Sequence, residues 1–152
     1  MGVPAPSIYI DAPPDMVFGF WADPTNLTKL GGQLPYFEEA IEDVLVTPEG
    51  VGTTFRTVIR IKGVRLGSVT DRYVEVEKNR RIVDEPSSPN PRMVVTFAEE
   101  GSGTRVGMEA VVVSWPARVP LLREWWRNFH HRRFRTGLQS LKRLIEEPEA
   151  AS

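Results

Sequence analysis

Hydrophobic and polar residues alternate along the middle of this chain and recur at helical spacing near its two ends. Ser7-Ile8-Tyr9-Ile10-Asp11 has the twofold period of a short strand. Pro13-Pro14-Asp15 then fixes φ and sets an acid in a first helical turn, and Val17, Phe20 and Trp21 recur at helical spacing until Asp23-Pro24 ends the segment. Leu27 and Leu30 predict a second short helix over 25–30, before Gly31-Gly32. Beyond it the period is two over 36–46, 53–62, 64–76, 81–85, 92–98 and 104–115. The separators are turn chemistry, among them Pro48-Glu49-Gly50, Lys62-Gly63, Lys78-Asn79 and Gly101-Ser102-Gly103, so hairpins join these strands into an antiparallel sheet. From 120 to 147 only Gly137 interrupts a run of helix formers, and Pro148 ends it. The fold class expected is therefore α+β: a curved seven-stranded antiparallel sheet wrapped around a long C-terminal helix, with two short helices after the first strand. That last helix is the one element long enough to cover the sheet's apolar face.

Strand period also sorts side chains by face. With Phe55, Ile59 and Ile61 turned inward, Thr57 joins them, and Arg56, Arg60 and Lys62 face solvent. Residues 64–76 admit two parities: Val64, Leu66, Val74 and Val76 inward with Ser68, Thr70 and Arg72, or Val69 inward with Asp71 and Tyr73. The period also turns Val95 and Met108 inward. The C-terminal helix bears two apolar stripes more than about 90° apart at 100° per residue. Leu122, Trp125, Trp126 and Phe129 form one; Phe134, Gly137, Leu138, Leu141, Leu144 and Ile145 form the other. Either the helix bends near 129–133, or its first half covers a cavity or a partner while its second half packs on the sheet. Adjacent tryptophans point different ways, so Trp126, nearer the second stripe, is placed inside and Trp125 at the edge.

A length of 152 residues, 41% hydrophobic and 26% charged, suits one domain over 1–152. The absence of cysteine excludes disulfides, thiolate metal sites and cysteine nucleophiles. No apolar run approaches the ~20 residues of a transmembrane helix and no export signal opens the chain, so a cytoplasmic location is expected. Charge is polarised: residues 1–50 hold eight acids against Lys29 alone, and residues 116–143 hold eight basic residues against Glu124 alone. Arginines spread around a helix read as a solvated face that the acidic N-terminal part offsets, so nucleic acid is not the expected partner. His130 and His131 stand about 100° apart and cannot chelate one metal. Gly101-x-Gly103-x-x-x-Gly107 has one residue too many for a dinucleotide fingerprint, so neither metal nor cofactor is expected.

The opening Ile8-x-Ile10-x-Ala12-Pro13-x-x-x-Val17-Phe18-x-x-x-x-Asp23-Pro24-x-Asn26 resembles the start of START-like helix-grip domains (SRPBCC superfamily), in particular the polyketide cyclase/dehydrase and lipid-transport group. Val51-Gly52-Thr53 before the long hairpin, Arg80-Arg81-Ile82, Gly103-Thr104-Arg105-Val106 and Gly137-Leu138-x-x-Leu141-Lys142 are similar as well, and the likeness spans nearly the whole chain. One departure concerns the loop that often borders the pocket entrance: many relatives have tryptophan where this chain has Leu30 and then Gly31-Gly32-Gln33-Leu34-Pro35.

The resemblance implies a deep apolar cavity between the sheet and the C-terminal helix that takes a lipid, quinone, sterol or aromatic polyketide. The first expectation is a binding or transport protein, monomer or homodimer, whose cavity holds Trp21, Phe55, Thr57, Ile59, Val95, Met108, Trp126 and Phe129. One polar anchor is expected from Arg72, Tyr73 or His130. The second expectation is a cofactor-independent cyclase/dehydrase-like enzyme using Arg72 or Tyr73 with His130. The third is an interaction module that docks through the basic, aromatic C-terminal helix.

Overall fold

The computed structural model describes residues 2–30, 38–87, 90–113 and 118–147. β1 (Ser7–Ile10) leads into α1 (Pro14–Ala22), with proline in its first turn, and a 3-10 segment follows over Pro24–Leu30. Then come β2 (Glu38–Leu45), β3 (Thr54–Ile61), β4 (Val64–Glu77), β5 (Arg81–Pro86), β6 (Arg92–Glu100), β7 (Gly103–Val111) and α2 (Pro120–Glu146). The strands form one antiparallel sheet in the order β1-β7-β6-β5-β4-β3-β2, so five of its six junctions join sequence neighbours. This is the expected curved seven-stranded sheet with a C-terminal helix. Strand β7 ends at Val111 rather than 115, while Tyr36, the 31–35 loop and Trp115 lie outside the described residues.

Turn chemistry fixes the register. Lys62 and Gly63 take φ of 49° and 80°, the left-handed pair of a two-residue hairpin turn that matches strand twist, and Ile61 pairs with Val64 across it. At the β1–β7 junction Gly103 lies so close to the Ile10 carbonyl and the Tyr9 ring that no Cβ has room. Register shifts interrupt β2 between Glu42 and Leu45, the β3–β4 pairing where Leu66 is skipped opposite Ile59 and Arg60, and β4 between Tyr73 and Glu75. Such bulges bend strands and curl the sheet. The one in β4 also settles its parity. Val69, Asp71 and Tyr73 turn inward ahead of the bulge; of the other expected set only Val76, beyond the bulge, turns inward, while Val64, Leu66 and Val74 are exposed with Ser68, Thr70 and Arg72.

Core packing explains why the two halves of α2 differ. Phe134, Leu138 and Leu141 are buried against the core, where α2 packs on β1 and β7 with Ile10, Val95 and Val106. In α1 it is Phe18, edge-to-face with Phe97 at 5.5 Å, that is buried with Val17 and Trp21, whereas Phe20 lies at the core's margin. His131 ties three elements together. Its Nε2 accepts the Ala110 N–H of β7 at 3.0 Å, which leaves Nδ1 protonated to donate to the Val3 carbonyl at 2.8 Å. The Val3 N–H in turn donates to Asn128 Oδ1 at 2.8 Å, so the N-terminal residues are strapped along α2.

Candidate functional site

Where α2 runs ahead of Phe134, its side chains no longer seal against the sheet, and a cavity of about 290 Å³ opens there. Trp126 and Phe129, stacked at 5.6 Å with only 3° between their planes, form part of its roof. Trp21, Leu27 and Leu30 enter from α1 and the 3-10 segment, and Phe55, Ile59 and Met108 from the strands. Trp125 is 58% exposed and does not line the cavity, its ring stacking against Trp126 at 5.7 Å and Phe129 at 6.0 Å instead.

The structure therefore brings together Trp21, Phe55, Thr57, Ile59, Met108, Trp126, Phe129 and His130. Three other expected site residues lie elsewhere. Val95 sits mid-sheet, paired with Ile82 and Met108, and is wholly enclosed by the packed core. Arg72 is exposed, because strand alternation between the buried Asp71 and Tyr73 sends it to the outer face. Tyr73 is inward but fully buried; its Oη donates to the Trp21 carbonyl at 2.7 Å and its ring meets Phe55 edge-to-face at 5.6 Å. Burial, followed by the nearby carboxyls of Asp84 and Asp71, pushes this phenol well above its ordinary pKa, so it acts as a structural tie.

The cavity's polar groups are mainly ones that sequence reasoning did not single out. In the β4–β5 register Asp71 opposes Pro86 and Tyr73 opposes Asp84, which makes Asp71 and Asp84 diagonal neighbours on the inner face. Both carboxyls are buried, 6% and 4% exposed, and they are hydrogen-bonded to each other. Thr57 Oγ1 donates to Asp71 Oδ2 at 3.1 Å. Burial raises Asp71 to about 6, against the opposing hydrogen bonds of Asp84 and Thr57. Burial and then the charge of Asp71 push Asp84 well above the usual carboxylate range. Asp84 thus keeps its proton and donates it toward Asp71, and above about pH 6 the pair carries one proton and one negative charge.

Facing this pair across the cavity are groups on α2 and β2. Arg133 donates to Glu39 Oε1 at 3.2 Å, so its charge is already matched, and this pair links the basic helix to the acidic first third of the chain. Arg133 also donates to His130 Nδ1 at 3.2 Å. That bond leaves Nδ1 as acceptor and places the imidazole proton on Nε2, which is buried and has no hydrogen-bond partner among the described residues. Burial, with Arg133 and His131 adding to it, lowers His130 from 6.5 to about 3, so the ring is neutral at physiological pH.

The sequence matches the family model described as polyketide cyclase/dehydrase and lipid transport over residues 5–146. Among solved structures, a protein from Arthrobacter aurescens superposes with a TM-score of 0.73 at 14% identity, covering 100% of this chain and 96% of its own. One from Nitrosomonas europaea gives 0.69 at 20% identity, covering 97% and 96%, and one from Mycobacterium smegmatis gives 0.69 at 15%, covering 97% and 99%. At these identities the likeness is one of fold. Among proteins with curated descriptions, none matches this sequence.

Proposed function

Because this chain belongs to the polyketide cyclase/dehydrase and lipid transport family, we propose that it binds an apolar small molecule in the cavity between its sheet and α2. The observation that carries this reading is the roof: Trp126 and Phe129 stand over open space of about 290 Å³ instead of closing on Phe55 and Ile59. A lipid, quinone, sterol or aromatic polyketide is the class of occupant, and the protein acts on it in the cytoplasm as a monomer or homodimer. No helix among the described residues is long and apolar enough to cross a membrane, which agrees with a carrier or receptor that meets its ligand in water.

Native mass spectrometry of the freshly purified protein tests the reading directly. A retained apolar molecule is expected, and Ile59→Trp, which fills the cavity from β3, should lose that molecule while the protein stays folded. Retention of the same adduct by Ile59→Trp would place the ligand elsewhere. A second reading, cofactor-independent acid–base catalysis, draws on the hydrogen-bonded Asp71–Asp84 pair, one member holding a proton and the other able to take one. It requires that a supplied hydroxylated ligand be recovered changed in mass, for instance by the loss of one water.

A further inference from the structure

The cavity's hydrogen-bonding inventory is specific. On the sheet side, the Asp71–Asp84 pair presents one negative charge to the cavity, and Arg133, the one arginine among the described residues that line it, is paired with Glu39 at 3.2 Å. On the helix side, His130 is 5% exposed and lines the same cavity, and its Nε2–H has no hydrogen-bond partner among the described residues. Resting on the reading that the cavity holds an apolar molecule, we infer that its occupant is a neutral hydroxy-carbonyl compound, whose hydroxyl donates to the Asp71–Asp84 pair and whose carbonyl oxygen accepts from His130 Nε2–H. A carboxylate is disfavoured by the same groups: it would bring a second negative charge into a low-dielectric space beside Asp71, where Arg133, the one cation among the described residues that line the cavity, is already paired with Glu39. An ether in place of the hydroxyl would bring no donor to Asp84 Oδ1, which is buried and has no hydrogen-bond partner among the described residues.

Both terms act as rejection. A site built to pair a polar group loses more when the group is missing than an apolar wall gains from contact, because the buried partner is stranded. The aromatic roof sets the other half of the selectivity: Trp126 and Phe129, stacked on each other, line the cavity with aromatic surface, which suits an apolar ring body.

Three probes of one size test this by calorimetry at pH 7.5: 6-hydroxy-2-acetylnaphthalene, its methyl ether, and 6-hydroxy-2-naphthoate. The hydroxy-ketone should bind tightest, with the ether and the carboxylate each weaker by about tenfold or more. In Asp71→Asn the carboxylate probe should recover most of its deficit relative to the hydroxy-ketone, since the repelling charge is gone. The wild-type ranking stands without any variant. Equal or tighter binding of the carboxylate by the wild-type protein would overturn the inference, as would a folded Asp71→Asn with unchanged ranking. Binding of all three without discrimination, blocked by Ile59→Trp, would overturn the hydroxy-carbonyl assignment and leave the cavity reading intact. No binding of any probe, together with no adduct in the purified protein, would overturn both.

Discussion

Replacing His130 with asparagine should change how the protein responds to acid more than it changes its stability at neutral pH. His130 is held neutral by burial, with the positive charge of Arg133 pressing the same way, and its folded pKa of about 3 lies far below the ordinary 6.5. For a group depressed in this way, stability is fully present above 6.5 and is lost as pH falls toward the folded value. Each pH unit in that window costs about 1.4 kcal/mol per proton of difference between the unfolded and folded chains. From pH 7.5 to 4.5 the wild-type protein therefore loses about 3 kcal/mol through this one ring, a loss that His130→Asn escapes. Asparagine keeps an acceptor near Nδ1 for Arg133, so the local hydrogen bond is retained. Urea unfolding followed by tryptophan fluorescence at several pH values gives the difference curve between the two proteins, from which the titration of every other group cancels. His130→Asn should gain about 3 kcal/mol on the wild type over that range. Asp71→Asn supplies the opposite sign: its parent carboxyl is raised from 3.8 to about 6, so the stability it contributes is present in acid and disappears as pH rises through about 6. Relative to wild type, that variant should lose about 2 kcal/mol between pH 7.5 and 4.5. If both difference curves were flat, the buried, uncharged histidine and the raised carboxyl would be refuted together.

Trp126→Ala should weaken binding of the hydroxy-ketone probe while costing less than the ~3 to 5 kcal/mol of a large aromatic removed from a filled core, because one side of the indole already faces open space; denaturant titration and calorimetry on the same preparation read both. Gly103→Ala should destabilise the fold by about 2 kcal/mol or more, since its Cβ meets the backbone carbonyl of Ile10, and a thermal melt should show it. Arg72→Ala should shift stability by no more than about 0.5 kcal/mol and leave the probe ranking untouched, because that side chain lies outside the sheet.

Periodicity located the sheet and the helix because both depend on which face of each element meets the core, and that information is local. It also located the cavity's apolar walls, from Phe55 and Ile59 to Trp126 and Phe129, since a displaced second stripe on a helix is visible in one turn of sequence. The carboxyl pair is different in kind. Asp71 belonged to one of two admissible parities, and its partner Asp84 is thirteen residues away on another strand, so their meeting depends on a register that the β4 bulge resets. The one-residue slip at Val74 is also why strand 64–76 has no single inward parity, which left Arg72 and Tyr73 both admissible as anchors. The acid in Ile82-Val83-Asp84 was the available signal, a charge set among strand-forming apolar residues.

One junction of the sheet stands apart from the rest, and it governs the order in which the molecule comes together. Strands β2 to β7 pair through hairpins, whereas Ser7 pairs with Gly107 at the far end of the chain. Closing a loop of about 100 residues costs about 4 kcal/mol in chain entropy, several times the cost of a short hairpin. The six-stranded meander is therefore expected to form by local steps and β1 to dock late, an order that φ-values for Ile8 and Val94 would check. α2 rests on both β1 and β7, and His131 joins it to Val3 and Ala110, so helix, first strand and N-terminal strap arrive as one cooperative unit. The roof residues Trp126, Phe129 and His130 ride on that unit. The cavity exists only once this seam has closed, so an occupant of the proposed kind would act as a latch on the least local contact of the fold.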